Sequence, residues 1–201
     1  MEARELTVVP RWAIRLPLEL DAPSGFRAQD LATWPRDEGR FEYMAGKLWY
    51  MPPCGGQQQR TVADVVTALG AWRMGAPDFV LGSNEVGMLL GGEVRAADAA
   101  VWRQDALGPI VGDELPRVAP VLAVEVAGRD DTLELLRDKA TWYLARGVTI
   151  VWVVDPSTRR VHVIDRSGET TLEVSDTLAE RPELPGLVVP IQRLFRQLGQ
   201  R

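Results

Sequence analysis

The chain has 201 residues, of which 46% are hydrophobic and 25% charged. That is enough for one sizeable core and short for two independent domains. Acidic residues number 28 against 23 basic ones, and the net charge of −5 excludes a protein that coats polyanions in general. One cysteine, Cys54, and one histidine, His162, exclude an internal disulfide and His-rich or Cys-rich zinc centres. No apolar run approaches the roughly 18 residues of a membrane span, so we expect a soluble, cytoplasmic protein.

The beginning of the chain predicts an extension, a short helix and a hairpin. Residues 1–25 mix short apolar stretches with prolines, and we interpret them as an N-terminal extension packed on one domain formed by residues 26–201. Arg27–Trp34 predicts a short helix that ends before a proline. The aromatic-rich runs Phe41–Met44 and Lys47–Met51 flank a glycine turn and predict a β-hairpin.

The rest of the chain alternates between helical and strand patterns. Apolar spacing predicts helices at Gln58–Met74 and Asp131–Arg146, the second with Asp131 as its N-cap. Short apolar runs predict strands at Phe79–Leu81, Val86–Leu90, Val94–Trp102, Val121–Ala127, Ile150–Val154 and Val161–Ile164. His162 alternates with apolar neighbours, which predicts a surface histidine. The order predicts an α/β (α+β) fold, a mixed β-sheet flanked by helices.

Two carboxylates interrupt the apolar strands. Asp98 lies within Val94–Trp102 and Glu125 within Val121–Ala127, each among small or apolar neighbours. A carboxylate buried in a strand is costly unless it is paired, hydrogen-bonded or bound to a cation. The simplest explanation for the two is one shared divalent ion, and oxygen ligands without histidine suit Mg²⁺ or Mn²⁺. The alternative is that each is a strand-end carboxylate facing solvent or an arginine.

Lys139 is the basic residue best placed to act with these carboxylates. Only Lys47 and Lys139 are lysines among the 23 basic residues, so a lysine in this chain calls for a local reason. Lys139 borders the apolar face of the helix that directly follows the Glu125 strand. A lysine reaching a carboxylate site can stabilise charge on a phosphate or orient a water. The alternative is a lysine whose ammonium extends to solvent at the helix rim.

These segments together resemble a known family. The resemblance rests on Phe41-Glu42-Tyr43, Gly46-Lys47-Leu48, Ala97-Asp98, Pro120 to Val126, Lys139 with Tyr143 and Gly147, Trp152 to Pro156, and Leu184 to Leu187. In this order and spacing they resemble the Uma-two family, a branch of the PD-(D/E)xK nuclease superfamily, from about residue 27 to the C-terminus. The resemblance implies a restriction-endonuclease-like fold and metal-dependent cleavage of DNA phosphodiesters.

The resemblance also assigns expected roles to particular residues. Asp98 and Glu125 correspond to the family's acidic metal ligands, with the backbone carbonyl of Val126 as a further ligand of Mg²⁺ or Mn²⁺. Lys139 corresponds to the catalytic lysine, displaced to the following helix, where it would position or help deprotonate a water. Glu42 matches the first acidic position and would ligate a second ion or orient Lys139. By analogy with double-strand cutters, a homodimer is expected.

Two other functions remain open from the residues alone. The first is a degenerate relative that binds DNA or a partner protein without cutting. The second is a nuclease that acts on RNA or another phosphodiester.

Overall fold

The computed structural model describes residues 18–35, 40–51, 54–109, 112 and 114–199. Its strands are β1 (Leu18–Asp21), β2 (Arg40–Met44), β3 (Lys47–Met51), β4 (Phe79–Leu90), β5 (Glu93–Arg103), β6 (Leu122–Val126), β7 (Ile150–Asp155), β8 (Arg160–Asp165), β9 (Gly168–Leu172), β10 (Thr177–Leu178) and β11 (Val189–Pro190). Its helices are α1 (Gly56–Arg73), α2 (Gln104–Leu107) and α3 (Leu133–Ala145), with 3₁₀ helices at Leu31–Thr33 and Ile191–Leu198.

The described strands form a large mixed sheet, and a pair made by β10 and β11 lies apart from it. The order in the large sheet is β1-β3-β2-β5-β6-β7-β8-β9, with β4 paired to β5 outside this path. Among the strand pairs of the described residues, only β6 and β7 run parallel, and α3 connects them. The expected α/β (α+β) architecture, a mixed sheet flanked by helices, is confirmed.

Strand β5 changes partner halfway along one edge. β4 pairs with β5 from Glu93 to Arg103 and so occupies the other edge. On the edge of β5 opposite to β4, β2 pairs with Val94, and β6 pairs with Ala99 to Val101. Between these two pairings the main chain of β5 has no neighbouring strand on this edge. Side chains from other elements bond it there instead.

Helices cover the two faces of the sheet and create two apolar clusters. α1 and the 3₁₀ helix at Ile191–Leu198 pack on one face, around residues such as Leu69, Val124 and Leu194. α3 packs on the other face through Leu136, Ala140 and Tyr143. Every residue of β6 is buried, because both of its faces are covered.

Several predicted elements differ from the observed ones near their ends. The expected helix Arg27–Trp34 is wrong: only the 3₁₀ turn Leu31–Thr33 forms. The Arg27 amide donates to the Thr33 hydroxyl (2.9 Å), and the Ala32 amide donates to the Asp30 carboxylate (3.1 Å). These side-chain bonds replace the backbone bonds of a helix. Residues 18–21 of the expected extension form β1, which pairs with β3, and residues 1–17 lie outside the described part of the chain.

The N-cap of α3 and the extent of β4 also differ from the sequence predictions. Thr132, not Asp131, is the N-cap of α3, because its hydroxyl accepts from the Leu135 amide (3.2 Å). Asp131 instead accepts from the Gly128 amide (2.7 Å). The two runs predicted around residues 79–90 are one strand, β4, interrupted by a bulge between Ser83 and Val86.

The prediction that His162 lies at the surface is also wrong. The residue is 6% exposed, and its Nδ1 lies 2.9 Å from Glu169 Oε1 and 3.0 Å from Thr171 Oγ1. His162 lies on the sheet face on which α3 packs, beside Glu169 and Thr171 of the neighbouring strand β9, and Arg137 of α3 bonds Glu169.

Candidate active site

The polar cluster lies where β5 changes partner. Asp98 and Glu125 each come one residue beyond the pair Ala99–Val124, at the point where β5 and β6 stop pairing. Both side chains are buried, with 4% and 5% of the residue exposed. Adjacent strands therefore bring together the two carboxylates that interrupted the apolar runs.

Lys139 joins the cluster from α3 and bonds three acceptors. Its Nζ lies 2.9 Å from Glu42 Oε1, 3.0 Å from Glu125 Oε2 and 2.9 Å from the Ala96 carbonyl oxygen. An ammonium has three N–H donors, so this geometry uses all of them. Burial alone would lower the pKa of Lys139, but the Glu125 and Glu42 carboxylates raise it above its usual value. The side chain is therefore a permanent cation.

Glu42 reaches the same network from the hairpin. Its Oε1 accepts from the Ala96 amide (3.3 Å), and its Oε2 lies 3.8 Å from Arg95 Nε. The backbone of Ala96 is thus bonded by the Glu42 and Lys139 side chains on the edge of β5 that no described strand occupies at this position. Of the two roles expected for Glu42, this geometry suits the orientation of Lys139.

Glu125 has both carboxylate oxygens occupied by side-chain donors. The Tyr143 hydroxyl donates to Oε1 (2.7 Å), and Lys139 donates to Oε2. Burial raises the pKa of Glu125 to about 7, although the nearby Lys139 ammonium opposes the rise. Tyr143 was named among the segments that carry the family resemblance, without a role at the site, because a sequence pattern cannot reveal where its hydroxyl group points.

Asp98 differs from Glu42 and Glu125 because no cation contacts its carboxylate directly, and Arg40 and Lys139 act on it only at longer range. Its Oδ2 accepts from the Val126 amide (2.7 Å), and it forms no ion pair within the described residues. Burial raises the pKa of Asp98 well above its usual value, with further contributions from the Glu125 and Glu85 carboxylates. The amide and carbonyl of one residue in a strand point to the same side, so the Val126 carbonyl also faces this space.

A bulge in β4 brings a further acid to Asp98 that the sequence analysis missed. Asn84 and Glu85 both have positive φ (65° and 58°), a conformation rare outside glycine. The Glu85 carboxylate pairs with Arg40 and accepts from the Cys54 thiol (3.4 Å). One ligand atom from each of Cys54, Glu85 and Asp98 lies within 4.8 Å of the others. The polar run Ser83-Asn84-Glu85 inside a strand was the available signal.

The cluster lines a cleft of about 320 Å³. Trp49, Met44 and Met51 from the hairpin form one wall, and α3 forms another. Cys54 is not a reactive thiol here, because burial raises its pKa to about 11. The cleft therefore combines a carboxylate without a cation, a fixed ammonium and an apolar wall.

The donor set suits a hard divalent cation. Carboxylate and carbonyl oxygens are the ligands that Mg²⁺ and Mn²⁺ prefer, and Asp98, Glu125 and Val126 supply them at one place. The structure brings together all five residues predicted for the site: Glu42, Asp98, Glu125, Val126 and Lys139. Their chemical roles remain predictions.

This fold and this cleft belong to a class of nuclease-like proteins. Residues 28–192 match the model of the Uma2 family, described as "Putative restriction endonuclease". The chain therefore belongs to the Uma2 family, as its sequence motifs predicted.

A solved structure has the same fold. It is described as "a putative nuclease belonging to DUF820" from Anabaena variabilis, and the comparison gives a TM-score of 0.73 at 18% identity. The match covers 84% of this chain and 97% of that one. No curated protein matches the chain. Among the described helices, none is long and apolar enough to cross a membrane.

Proposed function

We propose that the protein is a Mg²⁺- or Mn²⁺-dependent endonuclease that hydrolyses DNA phosphodiester bonds. The observation that supports this most directly is the buried Asp98 carboxylate, which forms no ion pair with a described residue although it lies in one cluster with Glu125 and Lys139. Membership of the Uma2 family and the nuclease-like fold agree with it. The proposal also includes DNA as the substrate, a homodimer and a cytoplasmic location.

Asp98, Glu125 and the Val126 carbonyl would hold the ion. A buried carboxylate is unfavourable without a compensating cation, and Asp98 forms no ion pair with any described residue. A bound divalent ion would lower the pKa of a coordinated water and neutralise charge on the phosphate. The Tyr143 hydroxyl and Lys139 fix the orientation of Glu125, since each binds one of its carboxylate oxygens.

Lys139 would act through its charge and not as a base. The flanking carboxylates raise its pKa, so it does not give up a proton near neutral pH. Its role is to stabilise negative charge that develops on the phosphate, and Glu42 holds it in position (2.9 Å). Of the two roles expected for Lys139, this favours positioning the water over deprotonating it.

Cleavage of supercoiled plasmid in Mg²⁺ or Mn²⁺ tests the proposal. Asp98→Asn keeps the shape of the side chain and an acceptor for the Val126 amide, but removes the charge. We expect the wild type to nick or linearise the plasmid and the variant to lose at least three orders of magnitude in rate. Binding of DNA without cleavage in any divalent ion would support the degenerate binding module instead. Cleavage of RNA alone would reassign the substrate.

A further inference from the structure

A second pocket opens beside the active-site cleft. It has a volume of about 540 Å³ and lies between the start of α1 and the loops that follow β6 and β7. Gln58, Asp131 and Leu136 line both cavities, so the two are neighbours. The residues proposed to hold the metal do not line this second pocket, which we call the helix pocket.

The first turn of α1 directs unpaired amides at the helix pocket. Gly55 is the N-cap and provides no side-chain cap, and the first turn contains no acidic residue. The Gln59 amide donates to the Gly55 carbonyl (3.0 Å). The amides of Gly56, Gln57 and Gln58 have no partner among the described residues. Such a helix N-terminus favours an anion through its free N–H groups and its dipole.

Gln58 is an independent indication of a ligand. The residue is only 8% exposed, yet its side-chain amide makes no hydrogen bond to any residue that the structure describes. Its amide is not sealed in the core, because the residue lines both cavities, and it offers a donor and an acceptor to a ligand there. Its Oε1 lies 3.0 Å from where a Cβ on Gly128 would be, so the glycine makes room for this side chain. Gln58 lies at the boundary between the helix pocket and the cleft.

Among the described charged groups that line the helix pocket, one cation, Arg129, is available to bind an anion. Arg129 lines the pocket, is exposed and forms no ion pair in the described part of the chain. The carboxylate of Asp131 accepts from the Gly128 amide. The carboxylate of Asp155 accepts from Ser157 and Thr158, whose bonds lower its pKa after the opposing effect of burial. Both acids are thus already engaged by donors of their own loops.

We propose that the helix pocket binds a phosphate of the nucleic-acid strand next to the one held at the metal site. The α1 amides and Gln58 would contact its oxygens, and Arg129 would supply the positive charge. This inference rests on the proposed function, because the nucleic-acid strand held at the metal site would continue from the cleft past Gln58 into the helix pocket. It also explains how a chain with a net charge of −5 can hold a polyanion.

Inorganic phosphate tests the pocket without metal or cleavage. In EDTA, a titration followed by ¹⁵N NMR should shift the amide signals of Gly56, Gln57 and Gln58 and the Gln58 side-chain signals, and the shifts should saturate. Gln58→Glu places a negative charge there and should abolish them. Gln104→Glu is the matched control, since Gln104 begins α2 after β5, which runs antiparallel to β6, so α2 lies at the other end of the strands. Absence of saturable shifts at these amides in the wild type would overturn the proposal.

Oligonucleotide binding tests whether the phosphate belongs to a strand. With Ca²⁺ in place of Mg²⁺, anisotropy of a fluorescent DNA duplex should show about tenfold weaker binding for Gln58→Glu. Arg129→Ala, which removes an exposed side chain, should reduce the salt slope of binding by about one. Arg166→Ala, in the β8–β9 turn, is the matched control and should change neither. Equal DNA affinity for wild type, Gln58→Glu and Arg129→Ala would mean that the pocket takes free phosphate only, which overturns the proposal.

The two proposals can fail separately. If the wild type never cleaves but the α1 amides shift with phosphate and DNA binding follows Gln58 and Arg129, the helix pocket stands and the endonuclease fails. If cleavage depends on Asp98 but neither variant changes DNA binding, the endonuclease stands and the strand path is wrong.

Discussion

Two residues on α3, two positions apart, take part in opposite kinds of charge cluster. Arg137 is half exposed and binds both oxygens of Glu169 (2.8 and 2.7 Å), which also contacts His162. Lys139 is buried and shared between Glu42 and Glu125, with Asp98 nearby and without a cation. The Arg137 cluster pairs its charges at the surface, whereas the Lys139 cluster buries more negative than positive charge beside Asp98.

The difference is the one expected between a structural ion network and the proposed metal site. A carboxylate that is fully paired gains little from a further ligand, and exposed pairs add little to stability. A buried carboxylate without a cation lowers the stability of the protein until a cation binds. The contacts of α3 thus place its two basic residues in different surroundings, Arg137 in a surface ion pair and Lys139 in the proposed metal site.

The largest expected difference between the clusters is in the rate of cleavage. Lys139→Ala should lower the single-turnover rate by two to three orders of magnitude, as loss of one electrostatic donor to the phosphate does. Lys139→Arg should rescue poorly, because the planar guanidinium cannot replace a compact ammonium held by three acceptors. Arg137→Ala is the control and should cleave at the wild-type rate. Equal rates for wild type and Lys139→Arg would reduce Lys139 to a structural charge.

Urea denaturation should show that Lys139 contributes far more than Arg137 to the free energy of unfolding. Lys139→Met keeps the apolar stem but leaves Glu42 and Glu125 buried without their cation, so we expect a loss of about 3 kcal/mol. Arg137→Met removes an exposed pair and should leave the denaturation midpoint nearly unchanged. Similar losses for the two variants would contradict the distinction between the clusters.

Sequence alone could locate part of this site for a physical reason. Asp98 and Glu125 stood out because strands buried on both faces rarely contain carboxylates, and Lys139 stood out on the helix that packs on one of them. The pairing of the strands that carry Asp98 and Glu125, and the packing of the Lys139 helix on them, then bring these side chains together. The hairpin that positions Glu42 was also predictable from its turn, where Ala45 and Gly46 have positive φ.

Other members of the site depend on long-range geometry. Glu85 reaches Asp98 only because β4 bulges, and Gln58 lacks a partner only because of how α1 meets the loop after β6. His162 was assigned to the surface because the alternation of β8 does not show that α3 packs on this face, with Arg137 bonded to Glu169 beside the histidine. In each case the decisive neighbour comes from another element of the fold.

Asp98 offers a third test, which uses metal and pH together. Its pKa is raised in the folded state, so the folded protein binds the proton more tightly than the unfolded one does. Its contribution to the free energy of unfolding therefore falls as the pH rises above about 4, the usual pKa of aspartate. Asp98→Asn should be more stable than wild type at neutral pH in EDTA, and this advantage should shrink at acid pH.

Manganese should reverse that ranking. Millimolar Mn²⁺ should raise the melting temperature of the wild type, because only the folded state contains the site, and should leave Asp98→Asn unaffected. Glu169→Gln, which alters the Arg137 cluster, serves as the control and should respond to Mn²⁺ like the wild type. A wild type indifferent to Mn²⁺, or an Asp98→Asn variant that still responds, would argue against the metal site.

The smallest expected effect concerns the hydroxyl of Tyr143. Tyr143→Phe removes the donor to Glu125 Oε1 (2.7 Å) but keeps the ring in the apolar face of α3. Loss of one buried hydrogen bond to a carboxylate should cost about 1.5 kcal/mol in urea denaturation. Because Glu125 loses one of its two orienting partners, Mn²⁺ should also bind about tenfold more weakly by calorimetry. Tyr50→Phe, which removes a hydroxyl on the β3 strand, is the control for metal binding and should leave Mn²⁺ affinity unchanged. Unchanged affinity in Tyr143→Phe would show that Lys139 alone fixes the Glu125 carboxylate.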